Sequence, residues 1–243
     1  MRKWHKFAER TVMNRKEELF KEDFMGQYYM PTLISQDGTI HSLYSHFYGN
    51  GLKLMEHSYI GNDFVNAVCT QIWHKPTVVA WIGDYSDEPY EGEYCKDIPE
   101  DQFMEIYRAV WGENKERTQI YPKPYGHLTM KNRRRYLVNH TNQTYIDMQE
   151  YIQRNQWHES GTWTKRYKNG RVDQKRYDYD MCVHPLPLLT ACGNGRGGGD
   201  YHDCFPDYDK VGTWAFCEIE LTGKRPKDYE QVMYHFTEQE RSE

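Results

Sequence analysis

Apolar positions along this chain come in short bursts separated by glycine, proline and charged clusters, and their spacing switches between helical and extended several times. Residues 3–22 contain no Gly or Pro and place Trp4, Phe7, Ala8, Thr11, Val12, Arg15, Leu19 and Phe20 at mixed three and four spacing, which predicts an amphipathic helix. Phe24-Met25-Gly26 ends it. Gln27–Ser35 and Thr39–Phe47 are β-rich runs joined by Gln36-Asp37-Gly38, which predicts a hairpin. A helix follows from about Asp63 to Trp73, with Phe64, Val65, Val68 and Ile72 turned inward and Pro76 stopping it. Thr77–Ile82 reads as a short buried strand running into Gly83-Asp84-Tyr85. Beyond it the pattern predicts a helix near Asp101–Trp111 and a hairpin of Tyr136–His140 with Thr144–Asp147. A second hairpin, Trp163–Tyr167 with Val172–Tyr177, turns at Asn169-Gly170. His184–Ala191 enters a glycine loop, and Val211–Leu221 reads as a final strand with Trp214 and Phe216 on one face. These elements make an α+β chain built on a mostly antiparallel sheet with flanking helices. Residues 25–222 form a single domain, 1–24 a helical extension and 223–243 a charged tail.

Composition narrows the class. A chain of 243 residues is long enough to bury one sizeable core. Mean hydropathy is low at -0.98, yet 15% of residues are aromatic and 21 are tyrosine, which a disordered chain would lack. No apolar run approaches the roughly 18 residues of a membrane span, and the first residues are charged where an export signal would be apolar. The expectation is a cytoplasmic protein with no membrane partner. The six cysteines are scattered and form no C-x-x-C pair, so free thiols are expected. The net charge of -5 hides a segregation: residues 131–176 carry eleven Lys/Arg against four acids, whereas 84–105 carry nine acids against Lys96 alone.

The densest chemical signal is Gly193-Asn194-Gly195-Arg196-Gly197-Gly198-Gly199-Asp200. Successive glycine amides can form a concave nest for phosphate or carboxylate, and Arg196 could clamp the same anion with two parallel bonds. The spacing is neither a P-loop nor a dinucleotide fingerprint, because Pro206 and a polar stretch stand where a helix should begin. A structural turn passing close to another strand explains the same glycines. Asp200, with Asp203, Asp207 and Asp209 behind it, could hold a divalent cation beside such a nest or serve as ordinary turn residues. Cys182-x-His184 and His202-x-Cys204 mirror each other and could make a Cys2His2 zinc site, but single-residue spacing is rare in zinc modules and no metal is expected. Glu56-His57-Ser58-Tyr59 brings a base, a nucleophile and a phenol together, and His57 is the leading catalytic histidine, with Glu56 and Asp200 as further candidates; neighbours on a chain rarely point at one substrate, so a satisfied polar turn is the simpler account of the tetrapeptide. Trp81, Asp84 and Tyr85, at the end of a buried strand, are expected to line the same cleft as Gly195–Asp200.

Met25-Gly26-Gln27-Tyr28-Tyr29, Gly51-Leu52-Lys53-Leu54-Met55-Glu56, Trp81-Ile82-Gly83-Asp84-Tyr85, Gly193–Asp200 and Val211-Gly212-Thr213-Trp214 together resemble a group of uncharacterised bacterial and phage proteins. That group opens with M-G-Q-Y-Y and carries G-N-G-R-G-G-G-D, V-G-[ST]-W and x-G-D-Y. The resemblance implies that Met25 is the ancestral start and that the origin is a phage or mobile element. The group has no established activity, so the resemblance carries over no catalytic residue, and here the G-D-Y element precedes the glycine octet, an order unlike that of the shorter members. The function expected first is binding of a nucleotide-like small molecule, another anion or a host protein through the Gly-Arg loop. An enzyme acting on a phosphorylated substrate is the alternative, and nucleic-acid binding through 131–176 a second. The sequence names no cofactor. Nucleic-acid binding is expected to be weak, because the acidic block can neutralise the basic segment within the fold.

Overall fold

The structure, a computed structural model, describes residues 27–87, 98–124, 135–193 and 205–237. The helix expected over 3–22 lies outside the described residues. Strand β3, Thr77–Gly83, is the spine of the sheet, and its unbroken run Thr-Val-Val-Ala-Trp-Ile-Gly suits a strand covered on both faces. Along it Val79 and Trp81 point into one apolar layer, Ala80 and Ile82 into the other. Strand β1, Tyr29–Ile34, repeats the alternation, with Tyr29 and Leu33 on the first face and Met30 and Ile34 on the second.

Sheet order is β10-β5-β4-β9-β3-β1-β2, where β2 is Ile40–Ser42, β4 Tyr136–Asn139, β5 Thr144–Asp147, β9 Cys217–Thr222 and β10 Glu230–Gln231. One side of β3 is served by β1. The other side is shared by two strands in succession: β9 runs antiparallel along Thr77–Val79, and β8, Ala191–Cys192, runs parallel along Trp81–Ile82. Apart from that pair and β5 with β10, the pairings are antiparallel, as expected. The first apolar face is covered by α2 (Asp63–Gln71), α4 (Met148–Asn155) and α5 (Pro185–Leu189), which follow the short α1 (Leu54–His57). The second is covered by α3, Glu100–Trp111, through Ile106 and Val110. A separate two-stranded ribbon, β6 (Trp157–Arg166) with β7 (Val172–Met181), leaves the body between α4 and α5.

Several boundaries differ from the sequence reading, each for an identifiable reason. The strand expected over Thr39–Phe47 stops at Ser42, where Ser42 turns its backbone to Thr118 and Ile120, and Ser45–Tyr48 winds into a 3-10 turn. The final strand begins only at Cys217, because Val211–Phe216 is a chain of turns and Phe216 has φ 60. Trp214 and Phe216 consequently enter opposite layers and do not share a face. Helix α4 was not expected, although Asp147 accepts from the N–H groups of Gln149 and Glu150 and a glutamate stands three positions on, a capping signal readable in the sequence. Helix α5 was hidden by its two prolines; Pro185 occupies the first turn, where no backbone donor is needed. The described part of the expected charged tail is built into the body: β10 pairs with β5, and Phe236 is fully buried. Asn155 fastens this segment by donating to Tyr234 O and accepting from Phe236 N–H, both at 3.0 Å.

Candidate functional site

Three chain ends meet at one edge of the sheet. The register places Tyr29 opposite Gly83 and Ile82 beside Cys192, so the residues before β1, after β3 and after β8 lie together. Asp84 N–H donates to Tyr28 O at 2.9 Å, and Tyr28 N–H donates in return to the Asp84 carboxylate at 3.0 Å. The Ser86 hydroxyl contacts both Gly83 O and Cys192 O at 2.7 Å, tying the turn to the root of the glycine loop. On the second face Tyr107 of α3 donates to Asp84 O at 2.7 Å. Burial pushes the Asp84 carboxyl above the ordinary carboxylate value, against the opposing pull of the Tyr28 N–H.

Gln27 fills the space between the strand ends. Its amide is buried at 2% exposure, its Oε1 accepts from the Tyr29 hydroxyl at 2.9 Å, and among the described residues its Nε2 has no partner. Gly83 and Gly193 are what leave it room. A Cβ on Gly83 would collide with the Gln27 side chain, and one on Gly193 would stand 2.5 Å from Gln27 Oε1 and 2.7 Å from the Tyr29 hydroxyl. The edge is therefore a small polar cradle in which both glycines admit an amide.

The predicted site residues divide sharply. Asp84 and Tyr85 sit at this edge, partly open to solvent. Gly193 is beside them, whereas Asn194 to Asp200, including Gly195, Arg196, Gly197, Gly198, Gly199 and Asp200, lie outside the described residues. Trp81 is one strand position inward and fully buried, so it forms core and not cleft wall. Its indole N–H donates to His57 Nε2 at 3.1 Å, while His57 Nδ1 faces Gly51 O at 3.2 Å. This fixes a neutral His57 protonated on Nδ1, and burial pulls its pKa down to about 4. A histidine at zero exposure with both nitrogens engaged is a poor proton shuttle. Glu56 is exposed and accepts from Lys53 N–H at 3.1 Å, capping α1; Ser58, next in the tetrapeptide, donates to Leu54 O. The tetrapeptide is thus a satisfied polar turn.

Of the possible zinc ligands, His202 and Cys204 lie outside the described residues. Burial raises the Cys182 thiol to about 12, which disfavours the thiolate a metal requires. His184 caps α5, its Nδ1 accepting from Leu186 N–H at 3.2 Å and its Nε2 lying 3.7 Å from Cys69 Sγ, and burial lowers its pKa to about 3. Among the described residues no group of three or more His, Cys, Asp or Glu is arranged to hold a metal. Cys69, Cys182 and Cys217 stand outside any disulfide, whereas Cys192 is disulfide-bonded, which corrects the expectation of free thiols at that position.

One polar constellation escaped sequence reading. Glu220 on β9 takes His140 Nε2 at 2.9 Å and His74 Nδ1 at 3.5 Å, and Tyr229 meets His140 Nδ1 at 3.2 Å. Its members come from three distant stretches of the chain, around 74, 140 and 220–229, so no local motif announces it. His74 also borders an open depression of about 600 Å³ lined by Asp37, His41 and Lys75. Comparison of the chain with protein-family models, curated proteins and solved structures finds no match.

Proposed function

We propose that this protein binds a small anionic ligand of nucleotide type at the sheet edge formed by Gln27, Gly83, Asp84 and Gly193, with the glycine-arginine run that continues from Gly193 supplying the anion donors. The observation that carries this reading is the Gln27 amide, which is held between two glycines with its Nε2 unpaired among the described residues. Leaving a buried amide donor unpaired costs about 1–3 kcal/mol. A ligand acceptor reaching the cradle recovers that cost. The glycine composition of the run supports the same chemistry, since consecutive backbone N–H groups favour phosphate and carboxylate oxygens.

Binding is favoured over catalysis because His57, the leading general-base candidate, is withdrawn into the core with both nitrogens engaged. Incubating the protein with a nucleotide panel and weighing bound and released molecules by mass spectrometry tests the reading. Recovery of intact ligand, reduced at least tenfold by Arg196→Ala or Gln27→Ala, is expected. Chemically altered ligand would establish an enzyme, and the absence of any retained anion would refute the proposal.

A further inference from the structure

The β6–β7 ribbon was visible in the sequence only as a short basic hairpin. With ten residues in each strand it reaches roughly 30 Å along its length at about 3.4 Å per residue. Beyond Thr162 nearly every residue is exposed on both faces. A two-stranded hairpin with no covering layer is marginal in water, so a chain that holds one this long away from its core is presenting it.

Register sorts its side chains. Trp163 pairs with Lys175, Gly161 with Tyr177, Glu159 with Tyr179 and Lys165 with Asp173, so these share one face. Trp163 is 51% and Tyr179 48% exposed. Tyr177 lies over Gly161, where a Cβ would stand 2.6 Å from its hydroxyl, and its ring centroid is 5.5 Å from that of Tyr179. The distal half, residues 162–176, carries six Lys/Arg against Asp173 alone. Asp173 is consumed locally by Arg171 at 2.8 Å and by the Tyr167 hydroxyl at 3.1 Å. Lys165, Arg166, Lys168, Lys175 and Arg176 make no ion pair among the described residues. Lysines and arginines alone would be explained as protection of an exposed strand edge. An exposed tryptophan and tyrosines on the same face are the opposite of such protection.

Among the described residues no ion pair joins the acidic segment to the basic one. Glu100, Asp101 and Glu105 ride on α3, which covers the second face of the sheet, whereas the ribbon is rooted through Trp157 and Cys182 in the core of the first face. Arg135, the described member of the arginine triplet, is spent on Asp147 at 2.7 Å.

We propose that the distal ribbon is a binding surface for single-stranded nucleic acid, with bases stacking on Trp163 and the tyrosine pair and phosphates held by the cations at both edges. Flat exposed rings accept any base, and a ribbon two strands wide lets arginines of the opposite face reach the same backbone. A single strand fits better than a duplex because stacked base pairs offer no open ring faces to the aromatics.

Fluorescence anisotropy with labelled oligothymidine of about 15 nucleotides, RNA of equal length and the matching duplex tests this across roughly 50 to 200 mM salt. Single strands are expected to bind more tightly than duplex, with affinity falling steeply as salt rises. Trp163→Ala should weaken single-strand binding about tenfold with the salt slope unchanged. The double variant Lys175→Ala, Arg176→Ala should flatten the slope by about 1.4, near 0.7 for each phosphate no longer neutralised. Circular dichroism of both variants should match the parent, since the substituted side chains are exposed. Absence of binding at the lowest salt, preference for duplex, or binding indifferent to both variants overturns the proposal. So does sedimentation showing a dimer that Trp163→Ala dissolves, which would make the ribbon a self-association surface. Nucleotide retention at the sheet edge should be unchanged in Trp163→Ala, so the two sites fail or succeed separately.

Discussion

His57 and His184 make the stability of this fold depend on pH between about 6.5 and 4. Both are fully buried, and burial lowers their folded pKa values to about 4 and about 3 from an ordinary 6.5. In that window the unfolded chain takes up protons that the folded chain refuses, so stability falls as pH falls. At pH 5 the unfolded histidine is almost fully protonated, and withholding its proton costs about 2 kcal/mol per residue at 1.36 kcal/mol per pKa unit. The two together cost about 4 kcal/mol, a large share of the roughly 5–15 kcal/mol that holds an ordinary domain together. Asp84, whose carboxyl is raised, acts in the opposite sense and only nearer the carboxylate range. Urea unfolding followed by tryptophan fluorescence at pH 7 and pH 5, at constant ionic strength, reads the effect. With a slope near 2 kcal/mol/M the midpoint should drop by about 2 M. His184→Asn keeps a side-chain acceptor at the start of α5 while removing the titration, and should halve that drop. A midpoint shift under about 0.5 M, or one that His184→Asn leaves intact, would refute the reasoning.

Three further substitutions probe the frame. Trp81→Phe leaves His57 Nε2 without a donor in a sealed site and should cost about 2–3 kcal/mol in urea unfolding. Asn155→Ala removes the bonds that fasten Tyr234 and Phe236 and should cost about 3 kcal/mol, with faster hydrogen exchange confined to residues 232–237. Trp163→Ala, by contrast, should change stability by no more than about 0.5 kcal/mol, because the ring touches little besides the ribbon.

Local signals were enough for the elements whose cause is local. The apolar run Thr77–Gly83 marks a central strand, Asn62 caps a helix that begins at Asp63, and Thr141-Asn142-Gln143 turns a hairpin whose strands are fixed to within a residue. The α+β class follows from these pieces, because strands and helices of those lengths bury their apolar faces only against one another. Asp84 and Gly193 were singled out in the sequence, and the structure places the ends of β3 and β8 that precede them side by side.

Whether a polar residue serves chemistry or packing was decided by burial, which residue type does not reveal. His57 and Trp81 look like site residues in the sequence, yet pairing with one another lets both disappear into the core. The Glu220 cluster and the Gln27 cradle depend on strands about a hundred positions apart in the chain, and such contacts leave no periodic trace. The ribbon was half seen for a related reason. Its inner residues on β6, His158 to Thr162, are polar or glycine and carry no apolar period, so pairing with β7 is what extends that strand back to Trp157. The fate of the charge blocks was likewise tertiary: the chain carries segments of opposite sign, and only the sheet, standing between α3 and the ribbon root, keeps their described parts on opposite faces.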